Sequence, residues 1–99
     1  MQGNDLNQQR AGAHFLVSGR VQGVGFRWFA VKRATELGIG GWVANLPDGR
    51  VEIAAEGDPD ALAQFESAIA QGPTWARVDS VEKREYPHNL GSYKSFDVK

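Results

Sequence analysis

The chain contains no cysteine. Disulfides, thiolate nucleophiles, zinc ribbons and cysteine-based metal carriers are thereby excluded. It has no surplus of either charge: eleven Lys and Arg stand against twelve Asp and Glu, a formal net charge of −1. Nucleic-acid binders usually carry a basic excess, so that class is disfavoured. No apolar run approaches the roughly 18–20 residues of a membrane span. The opening stretch "MQGNDLNQQRAG" lacks the apolar centre of a secretory signal, and residues 1–12 are read as a flexible tail. The two histidines, His14 and His88, have no partner at metal-ligand spacing, so neither a metal nor another cofactor is expected. The expectation is a soluble, cytoplasmic monomer of one domain, with no membrane or nucleic-acid partner.

What the chain does have is punctuation. "AHFLVS" is short and apolar and ends at Gly19, a first strand. In "FRWFAVKRATELG", Phe26, Phe29, Ala30, Ala34 and Leu37 share one helical face, and Gly38 is placed to end the helix. "GWVANLPDGRVEIAAEG" reads as a hairpin turning at Pro47-Asp48-Gly49. Val51, Ile53 and Ala55 alternate there with Glu52, Ala54 and Glu56, which predicts one buried face and one wet face. A second helix begins at Asp58-Pro59, carries Leu62, Phe65 and Ile69 as its stripe, and stops at Gly72-Pro73. "ARVDSVEKREY" is a further strand in which Val78 and Val81 break alternation, as a bulge would make them do. Pro87 to Ser92 reads as a loop and "KSFDV" as a short closing strand.

Strand, helix, strand, strand, helix, strand is the split βαβ order of an α+β, ferredoxin-like sandwich. Its two helices cover one face of a mostly antiparallel sheet of four or five strands. Right-handed crossovers make the first two strands parallel, so their C-terminal ends share one edge. The stretch "GRVQGVGFR" leaves the first strand at that edge, and Asn45 ends the second. Glycines let successive amides converge, a helix start offers unpaired N–H groups, and Arg27 adds a planar fork that fits two phosphate oxygens. An arginine in the first helical turn also opposes the helix dipole. The G-x-G-x-x-G and P-loop patterns both fail here. The residues alone therefore leave two readings open: an anion cradle, or a plain strand-to-helix turn beside a surface arginine.

"GRVQGVGFR" followed by "GWVANLPDGRVE" closely resembles the two signature stretches of the acylphosphatases. The resemblance covers roughly Ala13 to Val98, without departure at the key positions, and residues 13–99 are read as one acylphosphatase-like domain. It implies a metal-independent enzyme that hydrolyses the carboxyl–phosphate bond of a small acyl phosphate, with phosphate or sulfate as ligand mimics. It assigns phosphate binding to Arg27 and to the backbone amides of the loop residues Val21, Gln22, Gly23, Val24, Gly25 and Phe26. It assigns orientation of the attacking water to Asn45. Two other classes compete: a ferredoxin-like module that binds phosphate or a protein without turnover, and an RNA-binding module. The second is weakened by the charge balance and by "RVEIAAE", which lacks the aromatics of RNA-reading sheets. Trp28, Trp42 and Trp75 are expected in core or edge packing, His14 in a structural role and His88 in solvent.

Overall fold

The computed structural model describes residues 10–99. Most of the tail expected over residues 1–12 lies outside the described residues. The chain forms β1 (Ala11–Arg20), α1 (Phe26–Glu36), β2 (Gly40–Asn45), β3 (Val51–Gly57), α2 (Pro59–Gln71), β4 (Arg77–Arg84) and β5 (Phe96–Val98). Ala11 and Gly12 thus already belong to the first strand.

The five strands make one sheet in the order β4-β1-β3-β2-β5. β1 and β2 flank β3 and both run antiparallel to it, so they are parallel to each other. Val17 and Asn45 bracket the same β3 residue, Val51. This register brings the exit of β1 and the end of β2 to one edge. β5 pairs parallel with β2, facing Phe96 to Gly41 and Val98 to Val43.

The period of two along each strand decides what faces the helices. Ala13, Phe15 and Val17 of β1, Val51, Ile53 and Ala55 of β3, Val43 of β2 and Phe96 of β5 form one cluster with both helices. α1 contributes Phe26, Ala30 and Ala34, and α2 contributes Leu62, Phe65 and Ile69. The two helices therefore share one face, and Phe65 stands edge-on to both Phe15 and Phe96. α1 closes as its glycine signal foretells: Gly38 takes a positive φ, and the Ile39 amide donates to the Ala34 carbonyl. Asp58 and Pro59 open α2, although the Asp58 side chain makes no capping hydrogen bond.

The broken alternation of β4 has the expected cause. Ser18 pairs with Ser80 but Gly19 pairs with Val78, leaving Asp79 as an extra residue. The bulge lets Val78 and Val81 both pack against the core. A Cβ on Gly19, which has φ 128°, would collide with the Arg77 backbone.

The other face of the sheet corrects the sequence reading. Ala54 and Glu56 are fully buried rather than wet. The segment after β4, expected to be a solvated loop, folds back over this face. Tyr86 lies so close to Gly12 that no Cβ would fit there. His88 is partly buried rather than solvated, and its Nε2 accepts a hydrogen bond from Trp42 Nε1 at 3.1 Å. His14 has the structural role expected of it, with Nε2 2.8 Å from Glu52 Oε2. Trp42 packs as expected, but Trp28 and Trp75 are exposed.

Candidate functional site

The loop between β1 and α1 is held at both ends by buried apolar side chains, Val21 and Phe26. Between them Gly23 (φ 75°) and Gly25 (φ 81°) have positive φ, whereas the intervening Val24 does not. Backbone that alternates in this way turns its N–H groups inward into an anion-sized concavity. A side chain at either glycine would meet no protein atom, so it is backbone conformation, not crowding, that calls for glycine.

α1 follows at once. Its first internal bond runs from the Phe29 amide to the Gly25 carbonyl at 3.0 Å. The amides of Phe26, Arg27 and Trp28 precede that bond and have no partner inside the helix. Among the described residues, no backbone amide from Gln22 to Trp28 donates to a protein acceptor. Arg27 is exposed, and among the described residues no carboxylate forms an ion pair with it. The helix dipole, the free amides and an unneutralised guanidinium thus add in the same place.

A pocket of about 310 Å³ opens here. Val21, Gly23, Gly25 and Phe26 line it from the loop, and Arg27 and Asn45 add a guanidinium and a carboxamide. Asn45 shares the parity of Val43 on β2, which puts it on the helix side of the sheet. Its Oδ1 is buried and accepts no hydrogen bond from the protein. Buried polar atoms are nearly always paired, so an unpaired one in a pocket wall marks a place where a ligand donor belongs.

Two of the loop residues whose backbone amides the resemblance assigns to phosphate turn their side chains elsewhere. The Gln22 side chain donates from Nε2 to the carbonyls of Leu46 (2.8 Å) and Arg50 (2.9 Å), tying the loop to the β2–β3 hairpin. Val24 packs against the core. Conversely, the pocket has two further wall residues, Trp28, which the sequence allowed as a flank of the site without showing it, and Val98, which sequence reasoning did not place there. The position of Trp28 beside Arg27 was a usable signal. Val98 carried none, because its place depends on the pairing of β5 with β2.

Among the described residues, no group of three or more His, Cys, Asp or Glu is arranged to hold a metal ion, and no helix is long and apolar enough to cross a membrane. Chemically, the pocket offers many donors, one cation and one unpaired acceptor. That set can bind a phosphoryl group and hold a water beside it.

Comparison with known proteins agrees with this arrangement. The sequence model of one family, acylphosphatase, matches residues 13–98. An acylphosphatase of Thermococcus kodakarensis is 49% identical over 87 residues, covering 87% of this chain and 96% of that one. An acylphosphatase of Thermus thermophilus is 60% identical over 67 residues, 68% of this chain and 76% of that one. Among solved structures, the acylphosphatase from Bacillus subtilis superposes with a TM-score of 0.84 at 37% identity, covering 92% of this chain and 99% of that one.

Proposed function

Given that the chain belongs to the acylphosphatase family, whose members hydrolyse acyl phosphates, we propose that the glycine loop and Arg27 bind the phosphoryl group of a small acyl phosphate and that Asn45 orients the attacking water. The observation that carries this reading is the unpaired, buried Asn45 Oδ1 in the same pocket as Arg27 and the loop glycines. An amide oxygen accepts but cannot donate. A water that gives one hydrogen to Oδ1 is left with its lone pair free to face phosphorus.

The reaction breaks the bond between phosphorus and the bridging oxygen and forms one between phosphorus and the water oxygen. The leaving group departs as a carboxylate, whose conjugate acid has a pKa of about 4, so it needs no proton from a general acid. The water's proton passes to a phosphoryl oxygen, and no side-chain base is required. What remains is positioning and charge stabilisation, the principal means of phosphoryl-transfer catalysis. Arg27 and the free amides stabilise the charge spread over the equatorial oxygens, and Asn45 holds the nucleophile in line. Metal independence follows from this division of labour.

The test is hydrolysis of benzoyl phosphate in the presence of EDTA by the wild type, Arg27→Ala and Asn45→Ala. Rapid, chelator-resistant turnover that both substitutions abolish without unfolding is the expected result. Phosphate binding without turnover in the wild type would identify a binding module instead.

A further inference from the structure

Four large apolar side chains are exposed among the described residues: Trp28, Trp75, Leu90 and Val98. Two of them, Trp28 (71% exposed) and Val98 (51% exposed), line the same pocket as Arg27 and Asn45. They come from different elements. Trp28 lies in the first turn of α1, one residue beyond the guanidinium. Val98 lies near the end of β5, level with Val43 and on the helix side of the sheet, as Phe96 is. Neither belongs to the core cluster.

The substrate has two halves of opposite character. Its phosphoryl group is satisfied by the amides and Arg27, with the attacking water held beside it on Asn45. Its acyl group must remain outside that polar cradle, against whatever walls the rest of the pocket. Those walls are an indole and a branched aliphatic side chain. An indole face gains from stacking on another aromatic ring, beyond what apolar burial alone gives. A methyl group covers little of either wall.

We propose that Trp28 and Val98 form the acyl-binding platform of this enzyme and select acyl phosphates with an aromatic or bulky apolar acyl group over acetyl phosphate. The proposal rests on the phosphate and water roles given above. Among the described residues that line the pocket, Arg27 is the one charged side chain, and the phosphoryl group engages it, so the platform offers no second counterion for a carboxylate on the acyl group.

The experiment compares kcat/KM for benzoyl phosphate and acetyl phosphate in the full chain, in the wild type, Trp28→Ala, Trp28→Phe and Val98→Ala. The two substrates differ in intrinsic reactivity, but that difference cancels when the benzoyl-to-acetyl ratio is compared between proteins. Trp28→Ala should lower the ratio about tenfold, an effect of the size that one aromatic stack supplies. Trp28→Phe should bring it back to within about twofold of the wild type, because a ring is restored. Val98→Ala should lower it by about threefold, the effect of losing two methyl groups of partly buried surface. An unchanged ratio in Trp28→Ala, with both substrates still turned over, overturns the platform and leaves the phosphate and water roles standing. No turnover of either substrate by the wild type overturns those roles and the platform together.

Discussion

The two ends of β3 treat buried polar atoms in opposite ways. At its end, Glu56 is fully buried and fully partnered. Its carboxylate accepts from the Tyr86 hydroxyl, from the Gly91 amide at 2.5 Å and from Arg10 Nη2 at 3.4 Å. Burial alone would push this carboxyl up, but the three donors outweigh it and hold it below its ordinary value. Burial and the adjacent Glu56 charge push the Tyr86 hydroxyl up, so it stays a donor. At the start of β3, Val51 lies beside Asn45, whose Oδ1 is buried and unpartnered, and the free amides and Arg27 lie across the same pocket. One end satisfies its hydrogen bonds within the protein; the other leaves them open. Under the roles proposed, the difference separates a site built for stability from one built for binding.

If that division is right, substitutions at the open end should cost rate and not stability. Arg27→Ala should lower kcat/KM for benzoyl phosphate about 10³-fold, the lower range for an arginine that neutralises a transferring phosphoryl group. Arg27→Lys should recover little of this, since a point charge cannot bind two oxygens as a fork does. Asn45→Ala should cost about 10²-fold, in line with loss of one positioning contact. Neither should lower the melting temperature, because Arg27 is exposed and Asn45 Oδ1 has no protein partner to lose. A melting temperature that falls in step with activity in both variants would erase the contrast.

The closed end should show the converse. Glu56→Ala leaves the Tyr86 hydroxyl and the Gly91 amide without their acceptor and should destabilise the fold by about 3 kcal/mol. Chemical denaturation would measure this, and activity per folded molecule should stay near the wild type. The pH dependence follows from the same contacts. A carboxyl whose pKa is lower when folded contributes stability above its unfolded value, near 4.5, and loses it as pH falls through the folded value. Stability should therefore decline below about pH 4.5, and the decline should be shallower in Glu56→Gln. Asp48, held low chiefly by the Arg50 amide, and Asp79, held low by Arg77, titrate in the same direction. Both lie at the surface, so Glu56→Gln should leave only a weak acid dependence.

These ends were not equally legible in the sequence. The open end is local: three glycines, a helix start and an arginine stand in nine consecutive residues, and topology alone set Asn45 beside them. The closed end is assembled from residues 10, 56, 86 and 91, which no periodicity connects. The strict alternation of β3 argued for a wet outer face, and only the return of the segment after β4 buries it. His88 was misjudged for the same reason: its surroundings, Trp42 and Tyr93, come from a distant strand and from its own loop folded back. Packing was the wrong expectation for Trp28 because tryptophan is usually covered, and here it is exposed on the pocket wall, a flanking place that the sequence allowed but could not show. The bulge in β4, by contrast, was readable because, in a segment read as a strand, a spacing of three between Val78 and Val81 breaks the period of two.

Gln22 offers the finest test of the contrast, because it is a protein-satisfied group inside the open end. Its amide spans the loop and the hairpin, donating to Leu46 and Arg50 on either side of the turn that follows Asn45. Under the roles proposed, this bridge fixes the distance between the bound phosphoryl group and the water on Asn45. Phosphate affinity depends on the loop amides and Arg27, whereas in-line attack depends on both sides of the bridge. Gln22→Ala should therefore lower kcat about tenfold and change the inhibition constant of inorganic phosphate by less than about twofold. Gln22→Glu should be worse than alanine, since a carboxylate would face two carbonyl oxygens with no hydrogen to give. Equal losses in kcat and in phosphate affinity would show that Gln22 shapes the loop itself, and that the spacing between phosphoryl group and water is set by the sheet register alone.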